Sequence, residues 1–168
     1  MLPAWRCGQM MKIKHLRGRV QCAVAWLLAR ELGAGDEWTY NEHGKPYSTG
    51  REKVYFSVSH CGGAVAAVAA DQEVGIDIEE TGRYKANLER MVLNEEEQEL
   101  LDSLSGDKRA EEFIGLWTRK EAVFKCLGTG ITHEIKDILR RRDVSVFTLK
   151  IGGRMLSVAT RDEIVGNP

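Results

Sequence analysis

Asp77 and Glu79 stand two positions apart in the run Val74-Gly75-Ile76-Asp77-Ile78-Glu79. Alternate residues of an extended strand share a face, so both carboxylates project to one side within a few ångströms. Two such charges repel, and unless a cation or base relieves them at least one carboxyl takes up a proton at raised pKa. A solvated strand edge is the plain alternative for an isolated Asp-x-Glu. A third carboxylate, Glu121, lies at the border of the apolar stripe of a helical segment, where a cleft-lining side chain would sit. Together the three would complete the oxygen face that Mg2+ takes, leaving positions for water and substrate phosphates. Lys125 follows Glu121 by four residues; on the helix alone this is an ordinary surface ion pair worth ~0.3 to 0.5 kcal/mol. Lys120 falls inside the apolar face between Trp117 and Phe124, so its ammonium must reach the surface or find a carboxylate. Ser59-His60 carries donors suited to a phosphate, although a His near a turn is also a common structural residue. Lys45, before Pro46, has the same two readings.

The elements that must position these groups are legible as periodicity. Val20, Val24, Leu27, Leu28 and Leu32 recur at helical spacing and Gly33 follows as a stop, which predicts an amphipathic helix over Val20 to Leu32. After Gly44-Lys45-Pro46, the runs Val54 to Val58 and Ala64 to Ala69, separated by Cys61-Gly62-Gly63, predict a hairpin. Val74 to Ile78 alternates as a strand. Leu88, Met91, Val92, Gln98, Leu100 and Leu101 give a helical signal around the acidic turn Glu95-Glu96-Glu97, with Asn94 as N-cap. A longer helix from about Arg109 to Leu127 presents Phe113, Leu116, Trp117, Val123, Phe124 and Leu127, and stops at Gly128. Val144 to Ile151 and Met155 to Ala159, joined through Gly152-Gly153, predict a second hairpin.

Each half thus ends in a Gly-Gly-linked hairpin after helical material, the pattern of an internal duplication about a pseudo-twofold axis. With 168 residues and 43% hydrophobic content, one unit is expected over 1–168, with subdomains of about 1–73 and 74–168 sharing a core and a cleft. The 24 basic and 25 acidic residues give no global field favouring nucleic acid or an anionic membrane. Cys7, Cys22, Cys61 and Cys126 form no Cys-x-x-Cys pair, and no run approaches the roughly 18 apolar residues of a membrane span. A soluble protein of the reducing cytoplasm is expected, without a signal peptide.

Three segments in order, Phe56-Ser57-Val58-Ser59-His60, Val74-Gly75-Ile76-Asp77-Ile78-Glu79 and Trp117-Thr118-Arg119-Lys120-Glu121-Ala122-Val123-Phe124-Lys125, resemble the motifs of the 4'-phosphopantetheinyl transferase superfamily. Gly44-Lys45-Pro46 and the span look like the long, pseudo-dimeric class, whereas Lys125-Cys126-Leu127-Gly128-Thr129-Gly130 reads more like the short holo-acyl-carrier-protein synthase class. The region before the first helix is shorter than in long-class members. The resemblance implies an α+β fold of two similar subdomains with the active site between them. It implies Asp77, Glu79 and Glu121 as magnesium ligands, Lys125 as a phosphate contact, and Lys45, Ser59 and His60 as contacts to coenzyme A. Among Lys12, Lys14, Arg17 and Arg19, the pair Arg17 and Arg19 would hold the nucleotide 3'-phosphate. The implied reaction moves the 4'-phosphopantetheine arm of coenzyme A to a serine of an acyl or peptidyl carrier protein, the serine proton passing to Glu121 directly or through a metal-bound water. A non-catalytic binding module and a magnesium-dependent pyrophosphate hydrolase are the competing readings. A monomer is the simpler expectation, because two subdomains supply both walls of one cleft.

Overall fold

The computed structural model describes residues 10–50 and 53–162. Helix α1 (Leu16–Ala29) passes into one π-helical turn, Arg30–Ala34, kinked where Gly33 takes φ 94°. The stripe Val20, Val24, Leu27, Leu28 and Leu32 that announces this helix lies on its exposed side, and the buried face is Ala25, Trp26 and Ala29. Its packing surface explains the inversion. Trp26 stacks on Trp38 with 3.4 Å between ring centroids and meets Phe56 edge-on, while the alanines let the helix backbone lie close to that cluster. Trp38 belongs to a short hairpin that the periodicity did not reveal, β1 (Trp38–Tyr40) with β2 (Pro46–Ser48).

The expected first hairpin is β3 (Tyr55–Cys61) with β4 (Ala64–Ala70). Strand β5 (Val74–Glu80) pairs with the other hairpin, β6 (Val144–Ile151) and β7 (Arg154–Arg161), in an antiparallel sheet ordered β5-β7-β6. The register sets Asp77 opposite Ser157 and Glu79 opposite Met155. No ladder joins β3 to β5. Instead the Ile76 amide donates to Ser57 Oγ at 3.2 Å and the Ile78 amide to Ser59 Oγ at 3.4 Å.

A single helix over 88–101 does not form. Helix α2 (Glu89–Val92) stops where Leu93 and Asn94 turn extended, and α3 (Glu95–Asp102) restarts behind a capping box between Asn94 and Glu97. Val92, Leu93 and Leu101 enter a core with Phe113, Ile114 and Leu116, whereas Met91 and Leu100 stay exposed. Helix α4 runs Gly106–Leu127, starting earlier than its apolar pattern, and ends on left-handed Gly128. It lies on the Asp77 face of the sheet so closely that a Cβ on Gly75 would stand 2.1 Å from the Ala122 carbonyl oxygen. On the opposite face Ile76, Ile78, Leu156 and Val158 pack on Cys61, Ala64, Ala66 and Val68 of the β3–β4 hairpin, whose far side receives α1. The α+β order is therefore α1, β3–β4, β5–β7–β6, α4. Among the described residues no helix is long and apolar enough to cross a membrane.

Lys120 resolves its sequence dilemma by finding a carboxylate. Its fully buried ammonium donates to Glu97 Oε2 at 2.6 Å and to the Val92 and Lys136 carbonyls at 2.8 Å each. All three protons are used. Burial lowers its pKa and Glu97 opposes that. One side chain of α4 thereby ties down the end of α2, the cap of α3 and the 3-10 turn His133–Lys136.

Candidate active site

A cleft of about 510 Å³ opens between α1, the β1–β2 turn and the C-terminal half of α4, with Trp26, Lys45, His60, Glu121, Phe124 and Lys125 in its walls. Strand alternation sends Asp77 and Glu79 toward α4, and helical spacing brings Glu121 and Lys125 to meet them. Asp77 is buried. Its Oδ1 accepts from Lys125 Nζ at 2.6 Å and from the Ser59 hydroxyl at 2.8 Å, while its Oδ2 is buried without a hydrogen bond. Lys125 therefore pairs with Asp77 rather than with Glu121, and also donates to Ser59 Oγ at 3.1 Å.

The three carboxylates feel one another. Burial pushes the Glu121 carboxyl up from 4.5 to about 7, the charge of Asp77 adds to this, Lys125 pulls the other way, and Glu79 contributes a smaller rise. Glu79 is raised by burial and then by Asp77, against Arg83 and Lys125. Among the described residues no group of three His, Cys, Asp or Glu side chains is arranged to hold a metal ion as it stands. The donor set nonetheless fits a divalent cation, on the unbonded buried Oδ2 of Asp77 and the mutual charge stress of Asp77, Glu79 and Glu121.

The remaining sequence candidates divide. His60 is exposed on the cleft wall. Ser59 is buried with its hydroxyl saturated, giving its proton to Asp77 and accepting from Ile78 and Lys125. Lys45 lines the cleft, but its Nζ donates to the Cys126 carbonyl at 2.5 Å, capping the end of α4. Burial lowers its pKa. Arg17 lies along a second groove on the other side of α1, and Arg19 donates to the Ile13 carbonyl at 2.7 Å. The cleft does not gather Arg17 and Arg19 into its walls. Sequence reasoning missed Asn41, whose amide donates to the Gly128 carbonyl at 2.7 Å while its Oδ1 accepts from the His43 and Lys45 amides. That residue fastens the β1–β2 turn to α4, and the only signal for it was an Asn before Gly44-Lys45-Pro46.

The profile of the 4'-phosphopantetheinyl transferase superfamily matches residues 73–163, more than half of the chain. The chain belongs to that superfamily. The matched span holds Asp77, Glu79, Glu121 and Lys125 and leaves out Lys45, Ser59 and His60. Among curated relatives, the 4'-phosphopantetheinyl transferase AcpT of Escherichia coli (strain K12) is 37% identical over 106 residues, 61% of this chain and 54% of AcpT. AcpT of Salmonella typhi is 34% identical over 119 residues, 67% of this chain and 57% of that protein. The chain spans about half the length of the curated relatives it matches. A solved holo-(acyl-carrier-protein) synthase from Bacillus anthracis str. Ames, in complex with CoA (3',5'-ADP), matches with TM-score 0.45 and 24% identity over 54% of this chain and 96% of that one.

Proposed function

We propose that this chain transfers the 4'-phosphopantetheine arm of coenzyme A to a serine hydroxyl of an acyl or peptidyl carrier protein in the cytoplasm, with Mg2+ and release of adenosine 3',5'-bisphosphate. The observation that carries the reading is the convergence of Asp77 and Glu79 with Glu121 and Lys125, the last two of which line the cleft, with a buried Asp77 oxygen left unbonded. In the reaction the carrier serine oxygen forms a bond to the β-phosphorus of coenzyme A. The bond from that phosphorus to the bridging oxygen breaks, and the electron pair leaves with the adenosine bisphosphate.

Asp77, Glu79 and Glu121 would hold the magnesium ion, which supplies charge neutralisation at the pyrophosphate. Glu121, with its carboxyl raised to about 7, is poised to accept the serine proton directly or through a water near neutral pH. Lys125 Nζ, now on Asp77, lies at the cleft and is placed to steady charge on the departing phosphate. His60 and Lys45 stand in the walls to receive the nucleotide end, with Arg17 and Arg19 more remote candidates. The apolar wall that includes Trp26 and Phe124 excludes water around the arm.

The test is intact-mass spectrometry of an apo acyl carrier protein after incubation with this protein, coenzyme A and Mg2+, with an EDTA control. A gain of one phosphopantetheine arm, lost in EDTA, supports the reading. Cleavage of coenzyme A without a gain assigns a hydrolase. No change in either molecule, with folded protein and several unrelated carriers, sinks catalysis.

A further inference from the structure

Building on the transferase reading, we propose that Asn41 is a positioning residue for the nucleotide end of coenzyme A: it clasps the β1–β2 turn to the end of α4 and so fixes two segments of the cleft wall against each other. Strands β1 and β2 have three residues each and pair with no other described strand. An isolated two-stranded hairpin is at best marginally stable in water. Trp38 anchors the open end of this one against Trp26 and Phe56. Its turn end depends on Asn41. The amides of His43 and Lys45 donate to Asn41 Oδ1 at 3.0 and 2.9 Å, and the Gly44 amide donates to the Asn41 carbonyl at 3.0 Å. Three successive amides thus end on one residue, so the turn keeps its shape and has no nest of free N–H groups with which to grip a phosphate.

The same side chain reaches outward through Nδ2, which donates to the Gly128 carbonyl at 2.7 Å, 87 positions along the chain. Beside it Lys45 Nζ donates to the Cys126 carbonyl at 2.5 Å. Both acceptors sit at the end of α4, where no further helical turn exists to bond them. The approach is close: a Cβ on Gly128 would stand 3.0 Å from Asn41 Nδ2 and 2.9 Å from Lys45 Cδ, and one on Gly130 would stand 3.7 Å from the His43 ring. His43, Gly44 and Pro46 on the turn, and Gly128, Gly130 and Ile131 after the helix, line the cleft, whereas Asn41 does not. Asn41 therefore acts through its neighbours. Lys125 is held separately, by Asp77 and Ser59. Loosening the clasp should accordingly weaken nucleotide binding and spare the step at phosphorus.

Two variants separate the parts of the device. Asn41→Asp keeps an acceptor for the turn amides and removes the donor to Gly128, whereas Asn41→Ala removes both. Calorimetry with adenosine 3',5'-bisphosphate, and steady-state transfer from coenzyme A to an apo acyl carrier protein, compare them with the parent in Mg2+. In both variants the Kd of the bisphosphate and the KM for coenzyme A should rise roughly 10-fold, because a wall in place only part of the time lowers apparent affinity by that fraction, while kcat stays within about 2-fold and the KM for the carrier is kept. Parent-like Kd and KM in Asn41→Asp overturn the proposal, and a lowered thermal midpoint alongside them makes Asn41 a structural residue only. Weakened binding in Asn41→Ala alone also defeats it, since the shape of the turn would then matter and the clasp would not. A loss confined to kcat refutes it by placing the clasp on the chemical step. A parent that binds neither nucleotide and modifies no carrier sinks the transferase reading and this inference with it, an outcome told apart from the others by the parent alone.

Discussion

Replacing Glu121 by Gln should stabilise the metal-free protein at alkaline pH while removing the activity proposed for it. The Glu121 carboxyl is raised from 4.5 to about 7, first by burial and then by the charge of Asp77. In the unfolded chain a glutamate titrates near ~4.3. Between those two values the folded protein keeps a proton that the unfolded chain has lost, so stability falls as pH rises through the window. At about 1.4 kcal/mol per pH unit the whole span is on the order of 3 kcal/mol, an upper bound for a side chain that borders a solvent-filled cleft. Gln keeps the shape and carries no charge at any pH. Urea unfolding of parent and Glu121→Gln in EDTA, at about pH 4.5 and about pH 8.5, makes the comparison. The two should be nearly equal at the lower pH. At the higher pH the variant should lead by up to ~3 kcal/mol, a rise of roughly 6–12 °C in midpoint for a chain of this size. A variant no more stable than the parent at the higher pH would refute the reasoning, because it would mean Lys125 already offsets the buried charge.

Lys120→Met should lower stability by ~3 to 5 kcal/mol in urea unfolding, since the Glu97 carboxylate and the Val92 and Lys136 carbonyls lose their shared donor; a loss under ~1 kcal/mol would show that water replaces the ammonium there. Gly75→Ala should cost ~3 kcal/mol or more, because its Cβ meets backbone atoms of α4 that have no rotamer to give, and a parent-like thermal midpoint would contradict the close approach of β5 and α4. Lys125→Ala should cut turnover by ~100- to 1,000-fold while the far-UV spectrum is kept. Turnover within a few-fold of the parent would remove Lys125 from the chemistry.

The strand Val74–Glu80, both Gly-Gly hairpins, the Asn94 cap and the Gly128 stop were readable because each depends on local chemistry: alternation, a turn that tolerates glycine, a side chain that bonds its own helix start. Asp77, Glu79, Glu121 and Lys125 were readable as candidates, with Asp77 and Glu79 on one strand face and Glu121 and Lys125 on one helix face; that the two faces meet is a matter of tertiary packing. What failed depended on partners distant in sequence. The leucines of α1 advertise one face, yet the helix buries its alanines and Trp26, a choice made by Trp38 and Phe56. The break at Leu93–Asn94 follows from two short helices wrapping the end of α4, which a continuous apolar pattern over 88–101 conceals. Helical spacing paired Lys125 with Glu121, and the strand crossing beneath the helix offered Asp77 instead. Ser59 looked like a free donor beside His60 until Ile78 and Lys125 filled its lone pairs.

The join between β3 and β5 has a mechanical consequence. A backbone ladder locks two strands in register, since several amide bonds must break before either slips. Here the amides of Ile76 and Ile78 donate across the join to serine hydroxyls, each carried on a rotating bond that follows its donor. The join would behave as an expansion joint: small slides between β3 and β5 stretch these two hydrogen bonds and the one from the Ser59 hydroxyl to Asp77, at about 0.5 to 1.5 kcal/mol each, rather than a whole ladder. The cleft has walls on both sides of that joint, so a slide there would change its width while the core under α4 and the core under α1 each stay packed. The amides of Ile76 and Ile78 should accordingly exchange with solvent ahead of their neighbours bonded to β7.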